Sequence, residues 1–172
     1  MTSATETQPA RVPQPGQPAP PLALIDGEGN ERRLAVERGR WVVLYFYPAD
    51  DTPGCTTEAC AFRDAVGTLR DAGATVWGVS PQDAGSHRRF SAKYGLNFPL
   101  LVDADHAVAD AWGTWQLKMR YGRSYMGVAR TTFLIDPEGR IARTWEGVKP
   151  DGHAEEVLAA LREEQTRSAG SS

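Results

Sequence analysis

The sequence has no long apolar run, few cysteines and no excess of positive charge, and each shortage argues against a class of protein. A helix that spans a membrane needs about 20 apolar residues, whereas the longest apolar run here covers only residues 41–47. No apolar signal-peptide core follows Met1. The 19 Lys and Arg are scattered and outnumbered by 22 Asp and Glu, so no basic patch for nucleic acid or anionic lipid is expected. We therefore predict a cytoplasmic protein with no nucleic acid and no membrane partner.

Length and composition fit one globular domain. The 172 residues are 41% hydrophobic and 24% charged, which is close to the average of folded domains. Residues 1–15 are rich in Thr, Gln and Pro and have no hydrophobic period, so we predict a disordered Pro-rich leader. Residues 164–172 offer no apolar face and are predicted to form a flexible tail. The folded domain is therefore predicted over residues 16–163.

Short β-rich runs alternate with helical patterns, which indicates an α/β fold. The continuous apolar run at 41–47 is typical of a central strand covered by helices on both faces. Apolar residues at three- and four-residue spacing predict helices over 57–72 and 154–161. A Pro- and Gly-containing turn at 136–139 predicts that the last two strands form a C-terminal antiparallel hairpin on a central mixed β-sheet. The predicted strands are 41–47, 75–79, 98–102, 132–135 and 140–145.

Both cysteines lie at the start of the first predicted helix. Cys55 follows a loop rich in Pro and Gly, so it lies where the free N–H groups and the helix dipole favour a thiolate. On one helix, Cys60 would have its Cα about 8–9 Å from that of Cys55, beyond the range of about 4.4–6.8 Å that a disulfide allows. A bond between them therefore requires the first helical turns to unwind, and the spacing predicts redox chemistry coupled to local unfolding.

The residues alone leave other interpretations of the cysteines open. Either one can be a small core residue. A structural zinc site needs four ligands at short spacing, whereas His87, His106 and His153 are scattered. An iron–sulfur cluster would lack its third and fourth thiolates. A Cys–His hydrolase stays open as well, because sequence does not show which histidine is adjacent in space.

Several motifs in order resemble one family. The pattern Pro-x-x-x-Thr-x-x-Cys ends at Cys55, and Cys60 follows five residues later. The other matching stretches are Gly-Gln-Pro-Ala-Pro at 16–20, Phe-Arg-Asp at 62–64, Gly-Val-Ser at 78–80 and Arg-Thr-Thr-Phe-Leu-Ile-Asp at 130–136. Together they resemble the peroxiredoxins, and the cysteine spacing is similar to that of the bacterioferritin-comigratory-protein or PrxQ subgroup. The resemblance covers residues 16–161.

This resemblance implies a thioredoxin-like fold and a thiol-dependent peroxidase that reduces hydrogen peroxide and organic hydroperoxides without a metal or organic cofactor. It implies that Cys55 is the peroxidatic cysteine and Cys60 the resolving one, joined by an intramolecular disulfide that thioredoxin or glutaredoxin reduces. Arg130 would lower the thiolate pKa and hold the peroxide oxygen, and Thr52 would accept the peroxide proton and donate to the thiolate. Pro48 would shield the sulfur from water. The resemblance further implies a monomer.

Two further expectations concern the surroundings of the site. Glu58 is a candidate to brace Arg130, or it only favours the first helical turn through the dipole. The region containing Trp112, Trp115, Met119 and Met126 resembles the family's loop beside the active site, although packing is the alternative role.

Two other functions compete with the peroxidase. A thiol–disulfide oxidoreductase acting on proteins would be expected to carry a C-x-x-C motif, which the sequence lacks. A redox sensor would use the same disulfide but would not turn over efficiently.

Overall fold

A computed structural model describes residues 11–170 of the chain, and the side chains of residues 11–168. In chain order, the helices and strands are β1 (Ala23–Asp26), β2 (Glu31–Arg33), a 3-10 turn (Leu34–Glu37), β3 (Trp41–Phe46), α1 (Pro53–Asp71), β4 (Ala74–Ser80), α2 (Ala84–Tyr94), β5 (Leu100–Val102), α3 (Ala107–Ala111), β6 (Trp115–Arg120), β7 (Arg123–Val128), β8 (Thr131–Ile135), β9 (Ile141–Glu146) and α4 (His153–Gly170).

A seven-stranded mixed sheet in the order β2-β1-β5-β4-β3-β8-β9 forms the centre of the fold. Strand β3 pairs in parallel with β4 and antiparallel with β8, and β4 pairs in parallel with β5. Alternate residues of β3 enter different core layers, since Val43 and Tyr45 face the layer that contains α1 and α4 while Val42, Leu44 and Phe46 face the other. The predicted α/β class with a central mixed sheet is confirmed.

The predicted C-terminal hairpin is present as β8 and β9. At its turn, the carboxylate of Asp136 accepts hydrogen bonds from the backbone N–H groups of Glu138 and Arg140 at 2.9 and 3.0 Å. Gly139 has φ of 83°, in the left-handed region that favours glycine. The turn residues therefore fix the register of the last two strands.

Two hairpins were not among the predicted strands. Strands β1 and β2 are four and three residues long, too short for a clear alternation of apolar and polar residues. Strands β6 and β7 form a separate two-stranded sheet in which much of the surface faces solvent. Because neither face of β6–β7 is uniformly buried, its sequence lacks the period-two pattern by which strands are recognised.

Both ends of the predicted domain differ from the structure. Helix α4 continues to Gly170, so residues 164–170 of the predicted flexible tail are helical. Polar contacts hold this extension, since Arg143 Nε donates to Glu164 Oε2 at 2.7 Å and Gln165 Nε2 donates to the carbonyl of Ala72 at 2.6 Å. Polar side-chain contacts of this kind produce no hydrophobic period in the sequence, so the helical extension was not predicted.

At the other end, the structured part of the chain starts before residue 16. Val12 is buried in the core layer of Val42 and Leu44, and Thr144 Oγ1 donates to the carbonyl of Pro13 at 2.7 Å. The predicted leader is therefore wrong for residues 12 and 13, and its first ten residues lie outside the described part. Within residues 11–170, no helix has the length and apolar character needed to cross a membrane.

Candidate active site

Cys55 is the third residue of α1, at the end of the sheet where β3 finishes. Thr52 precedes the helix in an extended conformation, and Pro53 occupies the first helical position, which requires no N–H donor. The side chain of Cys55 is only 1% exposed. The sulfur therefore lies against the positive end of the helix dipole, as the sequence predicted, and it is largely away from water.

Arg130 joins the sulfur to a buried carboxylate. The residue lies between β7 and β8, and its Nη2 donates to Cys55 Sγ at 3.4 Å while its Nη1 donates to Glu58 Oε1 at 2.8 Å. A guanidinium keeps its charge at all ordinary pH values and holds its N–H groups in a fixed plane. The structure therefore aims a permanent positive charge at the thiol and fixes the orientation of that charge through Glu58.

Gly54 makes the approach of Arg130 to Cys55 possible. A Cβ atom at this position would lie 3.0 Å from Arg130 Nη2 and 3.6 Å from Arg130 Cζ. The first of these contacts is tighter than most contacts of a carbon atom, so the guanidinium would have to move by a few tenths of an ångström. Glycine at position 54 therefore leaves the space that the guanidinium fills.

Glu58 is buried within the helix segment that separates the two cysteines. Burial raises the pKa of its carboxyl to about 7, although the charge and the hydrogen bond of Arg130 act in the opposite direction. Its second oxygen, Oε2, is buried and has no hydrogen-bond partner among the described residues. Glu58 therefore braces Arg130 through a hydrogen bond, and its buried position disfavours the ionised form of its carboxyl.

Thr52 and Pro48 lie in the loop that enters α1, and both are half-buried. The Thr52 hydroxyl donates to the carbonyl of Ala49 at 3.0 Å. Its proton is therefore used within the loop, and its oxygen lone pairs remain available to accept a hydrogen bond. Both residues lie in the loop before Cys55. Within residues 11–168, the Thr52 hydroxyl bonds the Ala49 carbonyl and makes no hydrogen bond to the Cys55 sulfur.

Cys60 lies on the same unbroken helix as Cys55 and is half-buried, and both thiols are free. Regular helical geometry puts their Cα atoms about 8–9 Å apart. A disulfide allows about 4.4–6.8 Å. The pair therefore cannot bond while residues 55–60 remain helical.

A buried polar cluster beside the site was not recognised in the sequence. Asp50 accepts hydrogen bonds from Tyr47 Oη at 2.6 Å and Ser86 Oγ at 2.7 Å, and it lies 2.7 Å from His87 Nδ1. His87 Nε2 lies 2.9 Å from the carbonyl of Leu101. Both ring nitrogens of His87 therefore lie within hydrogen-bond distance of an oxygen atom. Burial acts to raise the pKa of Asp50, but the hydrogen bonds from His87, Tyr47 and Ser86 hold it below its usual range.

The hairpin β6–β7 flanks the site, in agreement with the expectation for this region. Burial lowers the pKa of Lys118, the charge of Arg130 lowers it further, and Cys55 acts in the opposite direction. Trp112 is buried in the core, whereas Met119 and Met126 are exposed. The aromatic and sulfur-containing residues of this region therefore have different roles.

Within residues 11–168, no group of three or more His, Cys, Asp or Glu side chains is arranged to hold a metal ion.

The chain is similar in sequence to a known protein family and to named relatives. Residues 15–144 match the AhpC/TSA family. Peroxiredoxin Bcp of Bacillus subtilis (strain 168) is 46% identical over 148 residues, which are 86% of this chain and 94% of that protein. Peroxiredoxin Bcp of Escherichia coli (strain K12) is 40% identical over 148 residues, with 86% and 95% covered.

Solved structures give the same assignment. Peroxiredoxin Q of Xanthomonas campestris has a TM-score of 0.79 at 43% identity, covering 83% of this chain and 90% of its own. A bacterioferritin comigratory protein of the same organism, described for its alkyl peroxide reduction activity, also has a TM-score of 0.79 at 43% identity, with 83% and 91% covered. The chain therefore belongs to the AhpC/TSA family, in which it is a peroxiredoxin of the Bcp/PrxQ group and a thiol-dependent peroxidase.

Proposed function

We propose that Cys55 attacks the O–O bond of a hydroperoxide as a thiolate. The sulfur forms a bond to the terminal oxygen while the O–O bond breaks, so Cys55 becomes a sulfenic acid and the remaining oxygen leaves as alkoxide or hydroxide. The leaving oxygen then takes up a proton and departs as alcohol or water. The observation that carries this proposal is the contact between Arg130 Nη2 and Cys55 Sγ at 3.4 Å.

Arg130 acts on both the sulfur and the peroxide. Its guanidinium attracts the negative charge of the thiolate, and its remaining N–H groups are available to the peroxide oxygen that gains charge as the O–O bond breaks. The hydrogen bond from Arg130 Nη1 to Glu58 Oε1 keeps these groups in place before substrate arrives. Such preorganised donors lower the barrier because no rearrangement is needed during the reaction.

Thr52 and Pro48 complete the site. The Thr52 oxygen accepts a hydrogen bond from the terminal O–H of the peroxide, because the hydroxyl proton already bonds the Ala49 carbonyl. Pro48 covers the sulfur without adding a backbone N–H that would bind water. These roles match the positions of both residues in the loop before α1.

Cys60 then resolves the sulfenic acid. Its sulfur bonds to Cys55 Sγ, the S–O bond breaks, and the hydroxyl leaves with a proton as water, which gives a Cys55–Cys60 disulfide. Residues 55–60 unwind for this step, because the intact helix keeps the sulfurs apart. A dithiol protein such as thioredoxin or glutaredoxin returns both cysteines to thiols by exchange.

The substrates and setting follow from the same features. Hydrogen peroxide and organic hydroperoxides share the O–OH group that the site engages. The cycle returns both cysteines to thiols, which a reducing compartment maintains, and this supports a cytoplasmic location. Both reacting cysteines lie on one chain, so the cycle needs no partner subunit, which supports a monomer.

Kinetics of cysteine variants test the proposed cycle. Wild type, Cys55→Ser and Cys60→Ser are reduced, mixed with hydrogen peroxide, and followed by trapping of sulfenic acid and by turnover coupled to thioredoxin. We expect Cys60→Ser to form sulfenic acid at the wild-type rate without the intramolecular disulfide, and Cys55→Ser to be inert. A Cys60→Ser protein that cycles normally with thioredoxin would show that the resolving role is wrong. Fast oxidation of wild type without turnover by any dithiol reductant would favour a redox sensor.

A further inference from the structure

Helix α2 contacts the chain immediately before the reacting cysteines. Tyr94 Oη donates to Asp51 Oδ1 at 2.7 Å, and Lys93 Nζ donates to Asp51 Oδ2 at 2.8 Å. Asp51 has φ of 56°, in the left-handed region that aspartate adopts more readily than most residues other than glycine. Two exposed hydrogen bonds from α2 therefore hold the loop at this bend.

The neighbouring residue is held by the other end of the same helix. The carboxylate of Asp50 bonds Ser86 and His87, both in the first turn of α2, and this carboxylate is buried. Buried polar groups that are hydrogen-bonded to one another are costly to separate, because separation leaves a buried donor or acceptor without a partner. Helix α2 thus fixes two consecutive residues of the loop that leads to Cys55.

Helix α2 also fixes α1 beyond Cys60. Arg63 Nη1 donates to the carbonyl of Tyr94 at 2.6 Å, and Asn97 Nδ2 donates to the carbonyl of Arg63 at 3.3 Å. Tyr94 therefore contacts Asp51 through its hydroxyl and Arg63 through its carbonyl. One residue at the end of α2 holds both ends of the stretch that contains the two cysteines.

Residues 52–62, here called the redox segment, lie between these contacts and include Cys55 and Cys60. We propose that helix α2 is a latch on the redox segment, in which Tyr94 fixes Asp51 at one end and Arg63 at the other and so opposes unwinding. This inference rests on the proposed disulfide between Cys55 and Cys60. The latch acts after the peroxide has reacted, because it contacts neither the sulfur nor Arg130.

The latch sets how the sulfenic acid is consumed. In the closed segment, a second hydroperoxide can transfer its terminal oxygen to the sulfenate, which forms a second S–O bond, breaks the O–O bond and releases alcohol or water, leaving a sulfinic acid. In the open segment, Cys60 forms the disulfide instead. A tighter latch therefore favours irreversible oxidation at high peroxide, and a looser latch favours the disulfide.

Two pairs of variants test the latch. Tyr94→Phe removes only the hydroxyl that bonds Asp51, and Tyr121→Phe, at an exposed hairpin tip, is its control. Arg63→Met removes the contact with the Tyr94 carbonyl together with the ion pair to Asp64 and a positive charge that acts on Cys60, so Tyr94→Phe decides where the two variants differ. Its control is Arg70→Met, because Arg70 also lies on α1 and donates to a carbonyl after α2, that of Asn97, but outside the redox segment.

The measurements are the rate of disulfide formation after one equivalent of hydrogen peroxide and the fraction of sulfinic acid after a large excess, by mass spectrometry. We expect Tyr94→Phe, which removes an exposed hydrogen bond, to form the disulfide about two- to fivefold faster. Arg63→Met removes a partly buried one and should form it about two- to tenfold faster. Both variants should form less sulfinic acid. Sulfenic acid should form at the wild-type rate. A latch changes the rate of disulfide formation and the fraction of sulfinic acid but leaves the rate of sulfenic acid formation unchanged. The Arg70→Met control shows how far loss of a similar contact outside the redox segment changes the same quantities.

The outcomes separate the latch from the proposed cycle. If wild type forms the Cys55–Cys60 disulfide but Tyr94→Phe and Arg63→Met resolve at wild-type or slower rates, the latch is wrong and the cycle stands. If the control variants accelerate resolution as much as the latch variants, the latch is again wrong. If wild type forms no such disulfide, the proposed cycle itself fails, and the latch fails with it.

Discussion

Replacing Glu58 by glutamine tests whether unwinding of α1 is coupled to a proton. Glu58 lies between the two cysteines, so the unwinding that joins them also removes this carboxyl from its buried position. In the folded, reduced protein, burial raises the pKa of Glu58 to about 7. In the unwound, oxidised protein, the carboxyl meets water and returns toward its ordinary pKa of about 4.5.

The sign of the effect follows from where the proton is held. Between about pH 4.5 and pH 7, the folded reduced form keeps a proton on Glu58 that the unwound oxidised form has lost. The folded form is therefore favoured most below pH 4.5, and this advantage is lost as the pH rises through 7. Reduction of the disulfide takes up one additional proton within this window.

The magnitude appears in the reduction potential. One additional proton taken up with two electrons steepens the fall of the potential by about 30 mV per pH unit. Across the window of Glu58, the accumulated difference is about 70 mV. Glutamine has no proton to exchange, so Glu58→Gln should lack this additional slope while keeping the slope that the two thiols contribute.

The assay is equilibration of wild type and Glu58→Gln with thiol–disulfide buffers from pH 4.5 to 8.5, followed by quantification of the Cys55–Cys60 disulfide. Glu155→Gln is the matched control, since Glu155 is an exposed glutamate on α4, outside the segment that unwinds. We expect the wild-type and control potentials to fall more steeply than that of Glu58→Gln below pH 7 and to run parallel to it above pH 8. Equal slopes for wild type and Glu58→Gln throughout would refute the coupling.

Two further predictions concern residues around the site. Gly54→Ala should slow sulfenic acid formation about tenfold or more, because the added Cβ would lie 3.0 Å from Arg130 Nη2 and displace a charged donor. Stopped-flow kinetics measure this rate, with Gly67→Ala as the control because its added Cβ meets nothing within 4 Å. Equal rates for the two variants would contradict the prediction. His87→Leu should lower the free energy of unfolding by about 1–3 kcal/mol, because the buried carboxylate of Asp50 loses one hydrogen-bond donor and leucine supplies none. Urea unfolding measures this, and a loss below about 0.5 kcal/mol would show that the contact is weak.

Local patterns were enough to predict the parts of the fold that carry the chemistry. The continuous apolar run of β3 identified a central strand, and the Pro- and Gly-containing loop after it placed Cys55 at a helix N-terminus. The turn at Gly139 identified the β8–β9 hairpin. In each case the determining interactions lie within a few residues of one another, so the sequence shows them directly.

Contacts between distant residues were not visible in the sequence. Asp50 and His87 are 37 positions apart, and neither belongs to a motif that names the other as its partner. Tyr94 resembles any half-buried tyrosine near the end of a helix until the fold brings Asp51 and Arg63 to it. The contact of Arg130 with Cys55 spans 75 positions and was suggested by family resemblance, because spacing and periodicity carry no information about it.

The central claim is that Cys55 and Cys60 form a redox pair through unwinding of one helix. The most direct test is intact mass and peptide mapping of the reduced protein before and after one equivalent of hydrogen peroxide. We predict rapid loss of two hydrogens and a peptide linked through Cys55 and Cys60. Unmodified thiols, or slow oxidation spread over other residues, would contradict the account.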